Sequence, residues 1–227
     1  KMHSSYKFPS FNTISGSGPN SAIIHYKASD KTNRILKKGE LYLVDSGGQY
    51  SFGTTDVTRT ISLDNKSNYI KEIYTRVLKG HIAVSNFKIK KNSTGSQVDQ
   101  AARKSLKKIK LDYPHGTGHG VGYFLNVHEG PQSLSRNNKI NLKDGMIVSN
   151  EPGYYKEGSF GMRIENLVYV KKNKFEELTI APIEKDLINK KILNNDEIKW
   201  IDIYHKKVKK NLFRFMSFKE KLDLVKA

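Results

Sequence analysis

Asp45, Asp56, His119, Glu151 and Glu165 stand in that order along the chain, each beside glycines or in a β-rich run. Hard divalent ions take carboxylate oxygens, and a single imidazole completes a set that leaves room for water between two ions. Four carboxylates set four negative charges against the four positive charges of two divalent ions, so a bridging hydroxide would leave the cluster close to neutral. Such a site can be buried, and the pattern is the one a two-metal hydrolase needs. The run Tyr113-Pro-His-Gly-Thr-Gly-His-Gly-Val-Gly sets His115 and His119 among glycines, where backbone can approach an ion closely. Asn126-Val-His-Glu-Gly-Pro adds His128, and three histidines within 14 residues, flanked by acidic segments, are hard to assign to core packing.

These side chains need a frame. Leu41-Tyr-Leu-Val reads as a buried strand delivering Asp45 to a glycine-rich turn, and the β-branched, alternating run from Thr54 to Ile61 returns as the second arm of a hairpin. A weak echo follows: Asp45-Ser-Gly-Gly-Gln-Tyr-Ser-Phe-Gly against Glu151-Pro-Gly-Tyr-Tyr-Lys-Glu-Gly-Ser-Phe-Gly, each with a second acid downstream. Two related hairpins facing across a pseudo-twofold would gather four carboxylates. Ala22-Ile-Ile-His-Tyr26 has strand composition, after an irregular segment from Ser15 to Asn20. Apolar residues at spacings of three and four predict helices over Tyr69–Asn86, over Val98–Ile109 with a capping box from Ser96 to Asp99, and from near Asp196 to Leu212. His81 and His205 fall inside these helices and read as structural.

Composition narrows the classes. At 227 residues the chain suits one domain with a substantial core. It has no cysteine, which excludes disulfides and thiolate chemistry and accords with a reducing compartment. No apolar run is long enough to span a membrane. The formal charge of +18 raises the question of nucleic acid, but the lysines are scattered, as at Lys37-Lys38, Lys107-Lys108 and Lys206-Lys207, without interleaved aromatics; they read as a solvated surface, and no nucleic acid is expected.

Taken together, Gly18-Pro-Asn with Ala22-Ile-Ile-His-Tyr26, Val44-Asp-Ser-Gly47, Gly53-Thr-Thr-Asp-Val-Thr-Arg-Thr60, Leu78-Lys-Gly-His-Ile-Ala-Val-Ser85, His115-Gly-Thr-Gly-His-Gly-Val-Gly122, Phe124-Leu-Asn-Val-His-Glu-Gly-Pro131, Glu151-Pro-Gly-Tyr-Tyr155 and Arg163-Ile-Glu-Asn166 resemble the catalytic domain of the aminopeptidase P family, of the eukaryotic cytosolic type. The resemblance resumes at Leu178–Ile183 and Trp200–His205. It implies an α+β pita-bread fold, a curved, mostly antiparallel sheet backed by helices with two pseudo-twofold halves. It implies a single catalytic domain over 1–227 with a helical extension at about 184–227, and family domains upstream that this chain lacks; the start, Lys1-Met-His-Ser-Ser, has no signal-peptide architecture.

By the same resemblance, Asp45 would chelate one metal, Asp56 and Glu165 would bridge two, and His119 and Glu151 would complete the set. Manganese is expected, with cobalt or zinc also suited to these ligands. Glu151 would shuttle a proton, His128 would donate to the developing tetrahedral centre, His25 would hold the next peptide carbonyl, and Arg163 would orient a carboxylate ligand. His115, with Tyr155, would border a slot for proline. The expected substrates are peptides with N-terminal Xaa-Pro, in a cytoplasmic homodimer. Prolidase, an Xaa-Pro dipeptidase of the same fold, is the near alternative, and a metal-free pita-bread binding module with a basic surface the remote one. Asn150 and Met162 depart from the residues common in relatives, and neither replaces a ligand.

Overall fold

Two antiparallel hairpins form the frame, joined where the Glu165 N–H donates to the Thr58 carbonyl at 3.1 Å. The computed structural model describes residues 3–226, so Lys1, Met2 and Ala227 of the sequence reading lie outside it. Strands β1 (Tyr6–Pro9) and β2 (Ile14–Ser17) precede β3 (Leu41–Ser46), and after an excursion through β4 (Gly48–Tyr50) and β5 (Gly53–Thr54), β6 (Val57–Ser62) returns along β3. The second half repeats the plan. Following β7 (Gly118–His119) and β8 (Ser133–Leu134), β9 (Ile147–Asn150) leads through β10 (Gly153–Lys156) and β11 (Phe160–Arg163) to β12 (Asn166–Lys171), which returns along β9 and pairs with β13 (Lys174–Glu177). In each hairpin one carboxylate sits at the end of the outgoing strand, Asp45 or Glu151, and another directly before the return strand, Asp56 or Glu165. The echo in the sequence is thus a repeat in the fold.

Helices cover the back. The Ser67 hydroxyl caps α1 (Asn68–Ser85), whose Ile73, Val77, Leu78 and Ile82 are buried as their spacing predicts. They meet Leu41 and Met162 from the strands, Ile164 between β11 and β12, and Ile201, Tyr204 and Val208 from α3 (Asn195–Leu212), which α4 (Phe218–Lys226) follows. A second cluster joins Val98 and Ala102 of α2 (Gly95–Lys107) to Val148, Val168 and Val170. Each large apolar side chain withdrawn from water contributes about 1.5–3 kcal/mol, so the helices hold the strands rigidly beneath the cleft.

Three local expectations are corrected. Ala22–Tyr26 is not a strand: a 3-10 turn (Gly18–Ala22) runs into an irregular strap whose buried Tyr26 hydroxyl bonds to the Thr32 carbonyl at 2.9 Å, so a side chain anchors the segment instead of a ladder. Ser15–Ser17, expected to be irregular, lies in β2, where pairing with β3 satisfies its backbone groups. The capping box of α2 is formed by Thr94 and Gln97, whose Oε1 accepts from the Thr94 N–H at 3.1 Å; Asp99 is fully buried and serves another purpose.

Candidate metal centre

Strand alternation aims the acids at one place. Asp45 near the end of β3 and Asp56, two residues before Thr58, point into the cleft from one half; Glu151 and Glu165 enter from the other. His119 arrives on β7, which lies against β9 so closely that a Cβ on Gly118 would collide with the Ser149 carbonyl oxygen. Only glycine permits that approach, and it is the physical content of the glycine run around the histidines. A cavity of about 450 Å³ is lined by all four acids and the histidine of the expected ligand set and by His25, His115, His128 and Arg163. Ligand atoms of Asp45, Asp56 and Glu165, of His119, Glu151 and Glu165, and of Asp56, His119 and His128 fall into three groups, each within 4.8 Å.

The hydrogen bonds fix the state of these groups. His119 Nδ1 lies 2.9 Å from the Gly120 carbonyl oxygen and must donate to it, which leaves Nε2 facing Asp56 Oδ2 and Glu151 Oε1, each at 3.4 Å. The Ser149 hydroxyl donates to Glu151 Oε1 at 2.9 Å while accepting from the His119 N–H at 2.9 Å. Thr58 Oγ1 donates to Glu165 Oε2 at 2.5 Å, and Arg163 Nη2 donates to Asp45 Oδ2 at 2.7 Å. Asp45 Oδ1 and Asp56 Oδ1 are buried and have no hydrogen-bond partner among the described residues.

That residual demand is electrostatic. Burial, then the neighbouring Asp56 and Glu151 against the opposing pull of Arg163, lifts the Asp45 carboxyl to about 7. Burial and the other three acids raise Glu165 well above the carboxylate range, and Glu151 is raised by burial as well. Burial alone would depress His119, but its bond to Asp56 and the charge of Glu151 carry it above its usual value. Converging carboxylates with unpartnered oxygens, and an imidazole whose Nε2 is aimed among them, form a donor set that fits hard or borderline divalent ions.

Outside the ligands, His25 and His128 are exposed to the cavity, and the His128 ring stands edge-on to His119 with centroids 4.2 Å apart. Tyr155 stands behind His115 and not on the cavity wall. Its hydroxyl accepts from Arg163 Nη1 at 2.7 Å and meets His115 Nε2 at 2.9 Å. His115 Nδ1 donates to the Gly116 carbonyl at 2.7 Å, so its Nε2 accepts the Tyr155 proton; burial lowers its pKa to about 4. Thr58 and Ser149 were not singled out from the sequence. Thr58 shares the facing of Asp56 two residues earlier, and that parity was the available signal.

Residues 1–172 match metallopeptidase family M24, and residues 172–224 match the C-terminal region of peptidase M24. A probable Xaa-Pro aminopeptidase P from Laccaria bicolor is 49% identical over 211 residues, 86% of this chain and 33% of that protein; Xaa-Pro aminopeptidase 1 of Dictyostelium discoideum is 47% identical over 88% of this chain and 34% of its own length. The chain thus spans about a third of the curated relatives it matches. The X-prolyl aminopeptidase of Caenorhabditis elegans, described as a cytosolic enzyme with a di-nuclear active site, superposes with a TM-score of 0.90 at 36% identity, covering 99% of this chain and 38% of that one. A prolidase from Thermococcus sibiricus superposes at 0.70 and 36% identity over 78% of this chain and 47% of its own. With the expected α+β architecture in place and both sequence regions matched in order, the fold is the pita-bread fold and the chain belongs to metallopeptidase family M24.

Proposed function

We propose that this chain is the catalytic part of an Xaa-Pro aminopeptidase, with Asp45, Asp56, His119, Glu151 and Glu165 holding two divalent ions, manganese foremost. The observation that carries the reading is the convergence of these five side chains on one cavity, with buried oxygens of Asp45 and Asp56 left unpartnered and His119 Nε2 turned toward them. Bound ions would supply an activated water and positive charge for the carbonyl oxygen. The chain's own groups do the rest. Glu151, raised by burial and held by Ser149, is suited to take a proton from the attacking water and pass it to the leaving nitrogen. His128 and His25, both exposed to the cavity, are placed to donate to the tetrahedral oxygen and to the following carbonyl.

Selection for proline follows from what His115 lacks. Both of its nitrogens are engaged, one by Gly116 and one by Tyr155, so its ring presents no free donor or acceptor to the cavity. A proline in second position has no N–H and a fixed φ, and a saturated imidazole beside the apolar Phe11, Ile24 and Val127 offers it surface without an unmet partner. The C. elegans relative, a cytosolic enzyme, supports a cytoplasmic setting.

The test is release of the N-terminal residue from Arg-Pro-Pro by metal-stripped protein as manganese is restored, with Arg-Ala-Pro and the dipeptide Arg-Pro alongside. Manganese-dependent cleavage of Arg-Pro-Pro alone is expected. Cleavage of the dipeptide alone would make the protein a prolidase, and two-metal uptake without cleavage of any peptide would show that the isolated chain is not itself the active unit.

A further inference from the structure

Arg59 carries a buried positive charge that the hydrolytic reading does not use. It is 8% exposed, and its five N–H groups serve six acceptors, none of them a carboxylate. Nη1 donates to the Thr58 carbonyl at 2.8 Å and to the Glu165 carbonyl at 2.5 Å. Nη2 reaches Asn166 Oδ1 at 2.7 Å, the Ala181 carbonyl at 2.8 Å and the Tyr204 hydroxyl at 3.1 Å, while Nε donates to the Pro182 carbonyl at 2.7 Å. Burying a guanidinium on neutral dipoles is costly, so its placement here calls for a reason beyond filling space.

The geometry supplies one. Thr58 and Glu165 belong to opposite halves of the pseudo-twofold, and one backbone hydrogen bond joins them, from the Glu165 N–H to the Thr58 carbonyl. In front of that contact, Thr58 Oγ1 holds the Glu165 carboxylate; behind it, one nitrogen of Arg59 holds the carbonyls of both residues. Side chains alternate along β6, so Thr58 faces the cleft and Arg59 faces away, and the same alternation puts Glu165 in front and Asn166 behind. The remaining donors of the planar fork fasten this junction to residues 181–182 and to Tyr204 of α3, all in the C-terminal region. Tyr204 in turn donates to the Ala181 carbonyl at 2.7 Å, and Asn166 Nδ2 donates to the half-buried Glu177 at 2.7 Å, so the clamp is itself braced.

We propose that Arg59 is a positioning residue of the metal centre, which staples the two halves at Glu165 and makes the C-terminal region a determinant of where that carboxylate sits. The proposal rests on the reading of Glu165 as a metal ligand. Lysine keeps the charge but cannot hold two strands with one planar nitrogen, which makes Arg59→Lys the informative change. The full chain is stripped of metal and titrated with manganese, with affinity and stoichiometry read by calorimetry and the spin coupling between ions by electron paramagnetic resonance.

Wild type is expected to bind two ions with a coupled signal. Arg59→Lys is expected to bind one nearly as tightly and the other at least about tenfold more weakly, with the coupled signal lost and the metal-free melting temperature within about 3 °C of wild type. Two ions bound by Arg59→Lys with wild-type affinity and coupling overturn the proposal alone, whereas a wild type that takes up no manganese overturns the ligand reading and the proposal with it. Should Arg59→Lys fail to fold, Tyr204→Phe decides: it leaves the guanidinium in place and removes only its brace, so a coupled signal weakened at equal manganese supports the clamp and an unchanged one overturns it.

Discussion

At the scale of single residues, the proposed function separates groups that would hold cations from groups that would face the substrate. His119 Nδ1 is engaged by the Gly120 carbonyl, which leaves Nε2 to take the first role, and His128 is exposed beside it. His119→Ala is therefore expected to abolish tight binding of one ion and to cut turnover by more than the roughly 100-fold that loss of a mere supporting bond costs. His128→Ala is expected to leave metal uptake nearly intact while turnover falls by about 100-fold or more. Metal stoichiometry beside steady-state kinetics checks the pair, and loss of both ions in His128→Ala would show that its role is ligation. The convergence of the candidate ligands was legible because carboxylates in glycine-rich turns are chemically conspicuous. Thr58, Ser149 and Arg59 were not, because their meaning lies in partners such as Glu165, 107 residues from Thr58, and a hydroxyl or guanidinium on a strand has many uses until its partner is known.

At the scale of elements, α2 is the device that holds the histidine loop. Asp99 and Arg103, one turn apart and both fully buried, point off the helix together; Arg103 donates to Asp99 at 2.8 Å, to the Tyr113 carbonyl at 2.8 Å and to the His115 carbonyl at 2.5 Å. Asp99 Oδ1 accepts from the Thr117 hydroxyl at 2.7 Å, so the segment between Tyr113 and Thr117 is pinned on both sides before it delivers His119. Arg103→Leu strands a buried carboxylate without its partner, and removing one member of such a pair costs about 3–5 kcal/mol. Urea unfolding of the metal-free protein is expected to show a loss in that range, and Asp99→Asn with Arg103→Leu together should lose less than the arginine change alone. The periodicity of α2 was readable, but Asp99 passed for a capping residue, since three-residue spacing from a serine does not reveal which way a side chain turns. The strap at Ala22–Tyr26 was misread for a related reason: β-rich composition states a preference for burial, and here the Tyr26 hydroxyl meets that demand without a ladder.

At the scale of the whole molecule, a net charge of +18 and the buried neutral histidines His81 and His205 act in the same direction when acid is added. Burial lowers His81 to about 3; its Nδ1 donates to the Asn150 carbonyl at 3.1 Å, its Nε2 has no partner, and Trp200 of α3 packs edge-on against the ring. Burial also lowers His205. In the unfolded chain a histidine takes up its proton near its ordinary value of 6.5, so as pH falls from there toward 3 the unfolded state binds protons that the folded state refuses, and stability is lost. For His81 the full loss is on the order of 5 kcal/mol. The raised carboxyl of Asp45 works the opposite way in metal-free protein, because its folded form keeps a proton up to about 7. Comparison of variants isolates the histidine: His81→Asn keeps an amide donor near the position of Nδ1 and cannot take up a proton. The metal-free wild type is expected to lose stability to urea more steeply than His81→Asn between pH 6.5 and pH 4.5, while the two run parallel above pH 7.5, where neither folded nor unfolded histidine is charged. Parallel curves throughout would mean that His81 is protonated inside the fold, with its unpartnered Nε2 supplied by an acceptor. Added salt, by screening the repulsion among the scattered lysines, should raise both curves without closing the gap between them, since a proton refused by a buried ring is beyond the reach of screening.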